Sequence, residues 1–188
     1  QLGNGSLLPP SDSNAPGQWE YQFNTWNHCY IRIRRCNRFL ENVDRAFFTV
    51  ESERARMKAE AKVWRAWLHI RLLKWYGRND GIPYVESVLE PSEIYLSRTP
   101  VEECLANINR ELDEVIESGA LPFIWDDENM RADRMSLATA YTLKMDVNLQ
   151  FKHYEEAMKA AKALIDSGKF ELYYSPSGDD EPGKNYRD

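Results

Sequence analysis

The sequence predicts an all-α fold of antiparallel helix pairs with loop-rich arms at both ends. Apolar residues recur at helical spacing in several separate stretches, and glycines close most of them. The one extended stretch, residues 81–87, is too short to imply a sheet and reads either as a connection or as one strand of a small ribbon. A chain of 188 residues is the size of one domain with a single core.

The first predicted helix follows an arm, residues 1–18, that is rich in Pro, Gly, Ser and Asn and shows no periodicity. Seven residues then fall on one helical stripe in steps of four and three: Trp19, Phe23, Trp26, Tyr30, Ile33, Asn37 and Leu40. Asn37 is the polar member of this stripe. Because a buried polar group must be satisfied, we expect its amide to bind a neighbouring backbone segment.

The second predicted helix begins near Thr49 or Ser52 and ends at Tyr76, with Gly77 as its stop. It carries two adjacent apolar stripes. A helix that is apolar around most of its circumference has to be covered by several others. We therefore expect it to be the central helix, with its tryptophans serving as packing residues: Trp64, Trp67 and Trp75.

A capping box predicts the start of the third helix, because Thr99 and Glu102 flank Pro100 at the first helical position. Gly119 is its expected terminator. A polar loop over residues 120–134 then carries Trp125.

Two further helices are predicted over residues 135–150 and 153–167, and the short break between them requires an antiparallel pair. Their pattern is close to the second half of a tetratricopeptide unit, although no full repeat occurs twice. The apolar face expected for the last helix is formed by Tyr154, Ala157, Met158, Ala161, Leu164 and Ile165. We thus predict a tetratricopeptide-like helical core over residues 19–173 and a loop over residues 174–188 that continues into a C-terminal portion absent from this chain.

The charge distribution argues against a nucleic-acid partner and against direct binding to an anionic membrane. The net charge is −6, and residues 1–94 hold 13 basic and 11 acidic side chains, whereas residues 95–188 hold 11 and 19. Both kinds of binder need basic side chains concentrated on one face. The basic run of the first two helices is interleaved with acidic residues, which favours an ion-paired helix surface: Arg32, Arg34, Arg35, Arg38, Arg45, Arg54, Arg56, Arg65, Arg71 and Lys74.

No set of residues indicates catalysis, a metal or a cofactor. The three histidines lie on three different predicted helices, with no serine or cysteine elbow nearby. The three cysteines lack the spacing of a zinc site, and Cys29 and Cys36 are too far apart on one helix to form a disulfide. A hydrolase would need an acid/base pair, and the loop carboxylates have no partner fixed by sequence.

Three aromatic residues are candidates for ligand binding, because they lie at a helix start or in a polar loop: Trp19, Tyr21 and Trp125. A flat apolar ring with Asn, Asp or Arg beside it suits the apolar face of a sugar, whose hydroxyl groups the polar residues can bind. These residues form our predicted carbohydrate site.

Four segments follow one another along the chain: YIRIRRCNRFLENV, KAEAKVWRAWLHIRLLKWYGRNDGIPYV, SRTPVEECLANINRELDEVIESGALP and RMSLATAYTLKMDVNLQFKHYEEAMKAAKALIDSGKFEL. Their characteristic positions are Ile33, Asn37 and Leu40 in the first segment, Glu60, Ala61, Arg65, Ala66, Tyr76, Gly77 and Pro83 in the second, Arg98, Thr99, Ile108, Leu112 and Asp113 in the third, and Ala138 to Ala157 in the fourth. In these positions and in their order, the segments resemble the SusD/RagB family of Bacteroidetes outer-membrane nutrient-binding lipoproteins.

The resemblance implies a tetratricopeptide-like scaffold that binds a glycan or other nutrient without catalysis. It also implies delivery to a SusC-like TonB-dependent transporter on the extracellular face of the outer membrane, with membrane attachment through a lipid anchor absent from this chain. Family members are two to three times longer, so we expect this chain to be a fragment. Their ligand residues lie on variable loops, so no motif position transfers as a binding residue. The alternative is a helical-repeat scaffold that binds a peptide or partner helix.

Overall fold

A computed structural model describes residues 25–125 and 134–170, and within these ranges the regular elements are helices, with one isolated β-bridge. Five α-helices follow one another along the chain: α1 (Thr25–Asn42), α2 (Glu51–Tyr76), α3 (Val101–Ser118), α4 (Leu137–Gln150) and α5 (Tyr154–Asp166). The predicted fold class is confirmed. The arms predicted at residues 1–18 and 174–188 lie outside the described residues.

The boundaries of α2 and α3 follow from local chemistry. Glu51 lies in the first turn of α2, where a negative charge suits the helix dipole, and the Gly77 N–H closes the helix on the Leu73 carbonyl at 3.1 Å. At the end of α3, Gly119 adopts φ +60°, the left-handed conformation that favours glycine. Both predicted terminators are confirmed.

The capping box predicted at Thr99 does not form. Pro100 itself is the N-cap of α3, and no side chain caps that end. Thr99 instead forms an antiparallel bridge with Ile82, and its hydroxyl accepts a bond from the Tyr84 N–H at 3.4 Å. Thr99 therefore pairs with the extended segment that follows α2 and does not cap α3.

Each helix packs against its neighbour in sequence, and α2 also packs against α4. The reversal between α4 and α5 takes only three residues, with Lys152 at φ +67° and a bond of 2.8 Å from the His153 N–H to the Asn148 carbonyl. Consecutive helices joined in this way form tetratricopeptide-like antiparallel pairs. As predicted, α2 is the central helix.

The core contains a polar network among its apolar residues. As predicted, the buried Asn37 amide donates to backbone carbonyls of the extended segment, those of Ser87 at 2.8 Å and Val85 at 3.3 Å. Its oxygen accepts a bond of 2.7 Å from Arg65, which also contacts Glu111. Arg65 is therefore a buried residue, and its assignment to an ion-paired helix surface was wrong.

Other basic residues of this run form ion pairs or backbone contacts, and Arg71 lies over the Trp67 ring. Arg54 and Arg56 pair with glutamates one turn away on α2, and Lys74 pairs with Asp146 of α4 at 2.8 Å. Arg34 instead donates to the Leu89 carbonyl at 2.7 Å. The prediction of ion pairing therefore holds for Arg54, Arg56 and Lys74.

Two expected packing faces are more exposed than the apolar pattern indicates. Trp75 at the end of α2 is 70% exposed and Trp64 is 42% exposed. On α5, Ala157 is buried, whereas Tyr154 and Ile165 are exposed. These helices therefore present aromatic and aliphatic side chains at the surface of the described part of the protein. No helix in the described ranges is long and apolar enough to cross a membrane.

Candidate functional site

Trp125 lies between α3 and α4, in a segment whose backbone is fixed by the start of α4. The Leu137 N–H donates to the Pro122 carbonyl at 2.9 Å, and the Ala138 N–H donates to the Phe123 carbonyl at 3.0 Å. The first amides of a helix have no partner within the helix, so these bonds stabilise both the helix end and the loop. Trp125 is thereby held close to the body of the protein.

The Trp125 indole is half-buried and has defined polar partners. Its Nε1–H donates to the Met135 carbonyl at 2.9 Å, and the Arg134 guanidinium carbon lies 4.3 Å from the ring centroid. This second contact is a cation–π interaction. Arg134 therefore lies over one ring face of Trp125.

A carboxylate shared by two arginines positions Arg134. Glu60 Oε1 accepts bonds of 2.6 Å from Arg134 Nη2 and 2.7 Å from Arg56 Nη1. Burial raises the pKa of Glu60, and the positive charge of Arg56 opposes this rise. The resulting site combines an aromatic ring with charged hydrogen-bonding groups, the combination that sequence reasoning sought around Trp125.

The other two predicted site residues, Trp19 and Tyr21, lie outside the described residues. Of the three predicted site residues, the structure therefore describes Trp125. Within the described ranges, no group of three or more His, Cys, Asp or Glu side chains could hold a metal ion.

A cleft of about 570 Å³ lies between α1 and the connection from α2 to α3. Its wall includes Trp26 and three exposed residues, Ile31, Ile94 and Tyr95. Tyr95 is 93% exposed. The Tyr30 hydroxyl, also in the wall, donates to the Pro83 carbonyl at 2.8 Å and so braces the connection. This cleft is mainly apolar.

A smaller cleft, of about 260 Å³, lies between α2 and α4 and is called here the α2/α4 cleft. It is lined chiefly by Trp67, Arg71, Lys74, Trp75, Leu143 and Asp146. Sequence reasoning missed it, because it assigned the tryptophans of α2 to the core. The available signal was the spacing of Trp67, Arg71 and Trp75, which are four residues apart and share one helix face.

Comparison with known families identifies the scaffold. Residues 11–145 match the model of the SusD-like family, described as "Starch-binding associating with outer membrane". The chain belongs to the SusD-like family. The matched residues include α1, α2, α3 and Trp125, so the family match spans both the polar core network and the candidate site. No curated protein sequence matches the chain closely enough to count as a relative.

Solved structures of SusD-like proteins share the fold. A SusD-like protein from Bacteroides fragilis matches with 29% identity and a TM-score of 0.69 over 79% of this chain and 28% of its own. Surface glycan-binding protein A from Bacteroides uniformis gives 26% identity and a TM-score of 0.68 over 80% and 33%. A laminarin-binding SusD-like protein gives 27% identity and a TM-score of 0.64 over 73% and 28%. The chain thus spans a third or less of the length of these structures.

Proposed function

We propose that this protein is a non-catalytic cell-surface protein that binds a glycan and delivers it to a TonB-dependent outer-membrane transporter. The observation that carries the proposal is the SusD-like family match over residues 11–145. Two of the similar structures are named for glycan or laminarin binding. Carbohydrate is therefore the ligand class that these relatives support.

Trp125 is the residue of the described structure that we assign to glycan binding, with Trp19 and Tyr21 as its proposed partners. The half-buried indole offers an apolar surface to a sugar ring, and Arg134 can donate to a hydroxyl group. The bonds at Met135 and Glu60 hold both groups in place before a ligand arrives. Such preorganisation reduces the entropy lost on binding.

The test is calorimetric titration of the protein with neutral β-glucan and α-glucan oligosaccharides. We expect one of them to bind, and Trp125→Ala or Trp19→Ala to weaken that binding by about 1–3 kcal/mol, the size of a lost aromatic stacking platform. Chromatography after a long incubation with the protein should show that the sugar is uncleaved.

Trp64→Ala provides the matched control, since Trp64 is a partly exposed tryptophan of α2 that is not part of the proposed site. It should leave the affinity unchanged. If no oligosaccharide binds, the proposed function is wrong. If a sugar binds equally well to both site variants, carbohydrate binding stands and the assignment of Trp19 and Trp125 is wrong.

Delivery to a transporter requires a separate experiment. In cells that carry the full reading frame, an affinity-tagged protein should co-purify with a SusC-like TonB-dependent transporter, and protease added to intact cells should digest it at the surface. Recovery without any transporter would contradict the proposed partnership while leaving glycan binding intact.

The large apolar cleft between α1 and the α2–α3 connection favours the alternative, a scaffold that binds a peptide or partner helix. Its wall contains the exposed side chains of Ile31, Ile94 and Leu96, which suit an apolar peptide better than a sugar. Under this alternative, Ile94→Asp would abolish partner capture and no oligosaccharide would bind.

A further inference from the structure

The α2/α4 cleft presents an aromatic surface beside an arginine that lacks an acidic partner among the described residues. Trp75 is 70% exposed at the last turn of α2, and Arg71 lies one turn before it on the same face. An exposed indole with a polar neighbour offers a flat apolar surface and a hydrogen-bonding group, which suit an amphipathic ligand.

Arg71 is held in position by the aromatic wall of the cleft. Its guanidinium carbon lies 5.5 Å from the centroid of the Trp67 ring, a cation–π contact. Trp67 is in turn fixed by an edge-to-face contact with Trp64, with ring centroids 5.4 Å apart. Because the side chain is already ordered, a ligand that binds it has less conformational entropy to remove.

The charges around the cleft leave a positive excess. Lys74 Nζ and Asp146 Oδ2 pair across its rim at 2.8 Å, and this pair neutralises itself while tying α2 to α4. Arg71 forms no ion pair or hydrogen bond with any residue of the described ranges. The cleft therefore offers one uncompensated guanidinium, whose planar donors match a carboxylate.

We propose that the α2/α4 cleft is a second saccharide site, selective for a carboxylated sugar whose ring packs on Trp75 and whose carboxylate binds Arg71. A volume of about 260 Å³ holds one or two sugar units of a longer chain. The proposal extends the proposed function from neutral glycans at Trp125 to uronic acids at a separate surface, and it rests on that function only in the ligand class.

The experiment is a titration of the full chain with trisaccharides of galacturonic acid and of mannuronic acid, each compared with its methyl ester. The ester keeps the ring surface and removes the charge. We expect an acid form to bind at least tenfold more tightly than its ester, and more weakly as salt is added. Arg71→Gln should reduce the acid to the affinity of the ester, and Arg71→Lys should restore part of the difference. Trp75→Ala should weaken both forms tenfold or more.

Two surface variants serve as controls. Tyr95→Ala removes an exposed aromatic ring from the other cleft, and Lys162→Gln removes an exposed cation from α5. Neither should change uronate binding. Equal binding of acid and ester, or unchanged binding in Arg71→Gln, would overturn the assignment of Arg71, and unchanged binding in Trp75→Ala would overturn the site.

The two proposals fail in different ways. If a neutral glucan binds through Trp125 and neither uronate binds, only the α2/α4 site is wrong. If a uronate binds, and if Trp75→Ala abolishes this binding while Trp125→Ala does not, the second site stands whatever the outcome with neutral sugars. If no sugar binds, both proposals are wrong.

Discussion

Arg65 and Glu111 form an ion pair inside the helical core, with Arg65 Nη2 and Nε lying 2.6 and 2.8 Å from Glu111 Oε1. Only 7% and 1% of the two side chains are exposed. Burial raises the pKa of Glu111, and the Arg65 charge opposes this rise. The pair joins α2 to α3, and the bond from Arg65 to Asn37 extends the connection to α1.

We expect Glu111→Gln to destabilise the protein by about 3–5 kcal/mol, because it removes the buried counter-charge of Arg65 and leaves it the more distant and more exposed Glu86 carboxylate, 3.9 Å from Arg65 Nη2. Urea unfolding followed by circular dichroism measures the change. Glu114→Gln is the matched control on the same helix. Its carboxylate pairs with Lys62 and Arg110 at the surface, where such pairs are worth about 1 kcal/mol or less. Equal losses in the two variants would show that the core pair is not effectively buried.

The double variant Arg65→Met, Glu111→Leu separates charge burial from packing. Apolar residues of similar size often replace a buried ion pair at little cost. The double variant should therefore be more stable than Glu111→Gln alone. A double variant that is less stable than the single one would assign the stability to the polar contacts themselves.

Asn37→Leu removes the amide that connects α1 to the extended segment. The Ser87 carbonyl and one Arg65 N–H lose their partner, and each buried group left unpaired costs about 1–3 kcal/mol. Asn42→Ala is the control, because the exposed Asn42 amide donates to the Arg38 carbonyl one turn back, and the loss of this surface bond should cost about 0.5 kcal/mol or less. Thermal unfolding of the two variants should therefore differ clearly in midpoint.

His69 should make stability depend on pH. It is fully buried, stacks on Tyr84 with ring centroids 4.1 Å apart, and accepts a bond from the Val85 N–H at Nε2. Burial, helped by the Arg65 charge, lowers the pKa of His69 from 6.5 to about 3. The folded protein thus keeps His69 neutral while the unfolded chain takes up a proton. Its contribution to stability is complete above pH 6.5 and is lost as the pH falls toward 3.

The size of this effect is up to about 1.4 kcal/mol per pH unit for one group. Unfolding free energies measured between pH 7 and pH 4 should fall more steeply for the natural protein than for His69→Gln, which has no proton to gain. Parallel curves would mean that His69 is protonated in the folded state.

Alanine substitutions at Gly81 and Gly119 distinguish the cost of backbone strain from the cost of steric overlap. Both have positive φ, +74° and +60°, so alanine at either position costs about 1–2 kcal/mol. A Cβ at Gly81 would in addition overlap the Thr99 carbonyl oxygen, whereas the space around Gly119 is open. Gly81→Ala should therefore be the more destabilising in urea unfolding, because it displaces the Ile82–Thr99 bridge. Equal losses would show that the bridge contributes little.

Helix positions and the central place of α2 could be predicted because they depend on local periodicity. The burial of Asn37 could also be predicted, since it interrupts an apolar stripe. Arg65 could not be recognised as its partner, because it lies among similar arginines and its contact with Glu111 joins residues 46 positions apart. A residue that looks like part of a charged surface is in fact the centre of the polar core.

The candidate sites show a second limit of sequence reasoning. Trp125 is a candidate because it interrupts a polar loop, and in the structure Arg134 lies over its ring. Trp75 was assigned to the core, because an apolar stripe does not reveal how far the neighbouring helix extends. Trp67 is partly buried against the core whereas Trp75 is 70% exposed, and this difference exists only in the packed structure.

The unequal packing of the helices has a consequence for how the protein opens. α2 packs against α1, α3 and α4, whereas α5 packs, among the described helices, against α4 alone. Amide hydrogens at the centre of α2 should exchange with deuterium only when the whole core unfolds, while those of α5 should exchange through local detachment. Among the described helices, α1 to α3 would then form a rigid part that includes walls of both clefts, while α5 could separate from α4 locally.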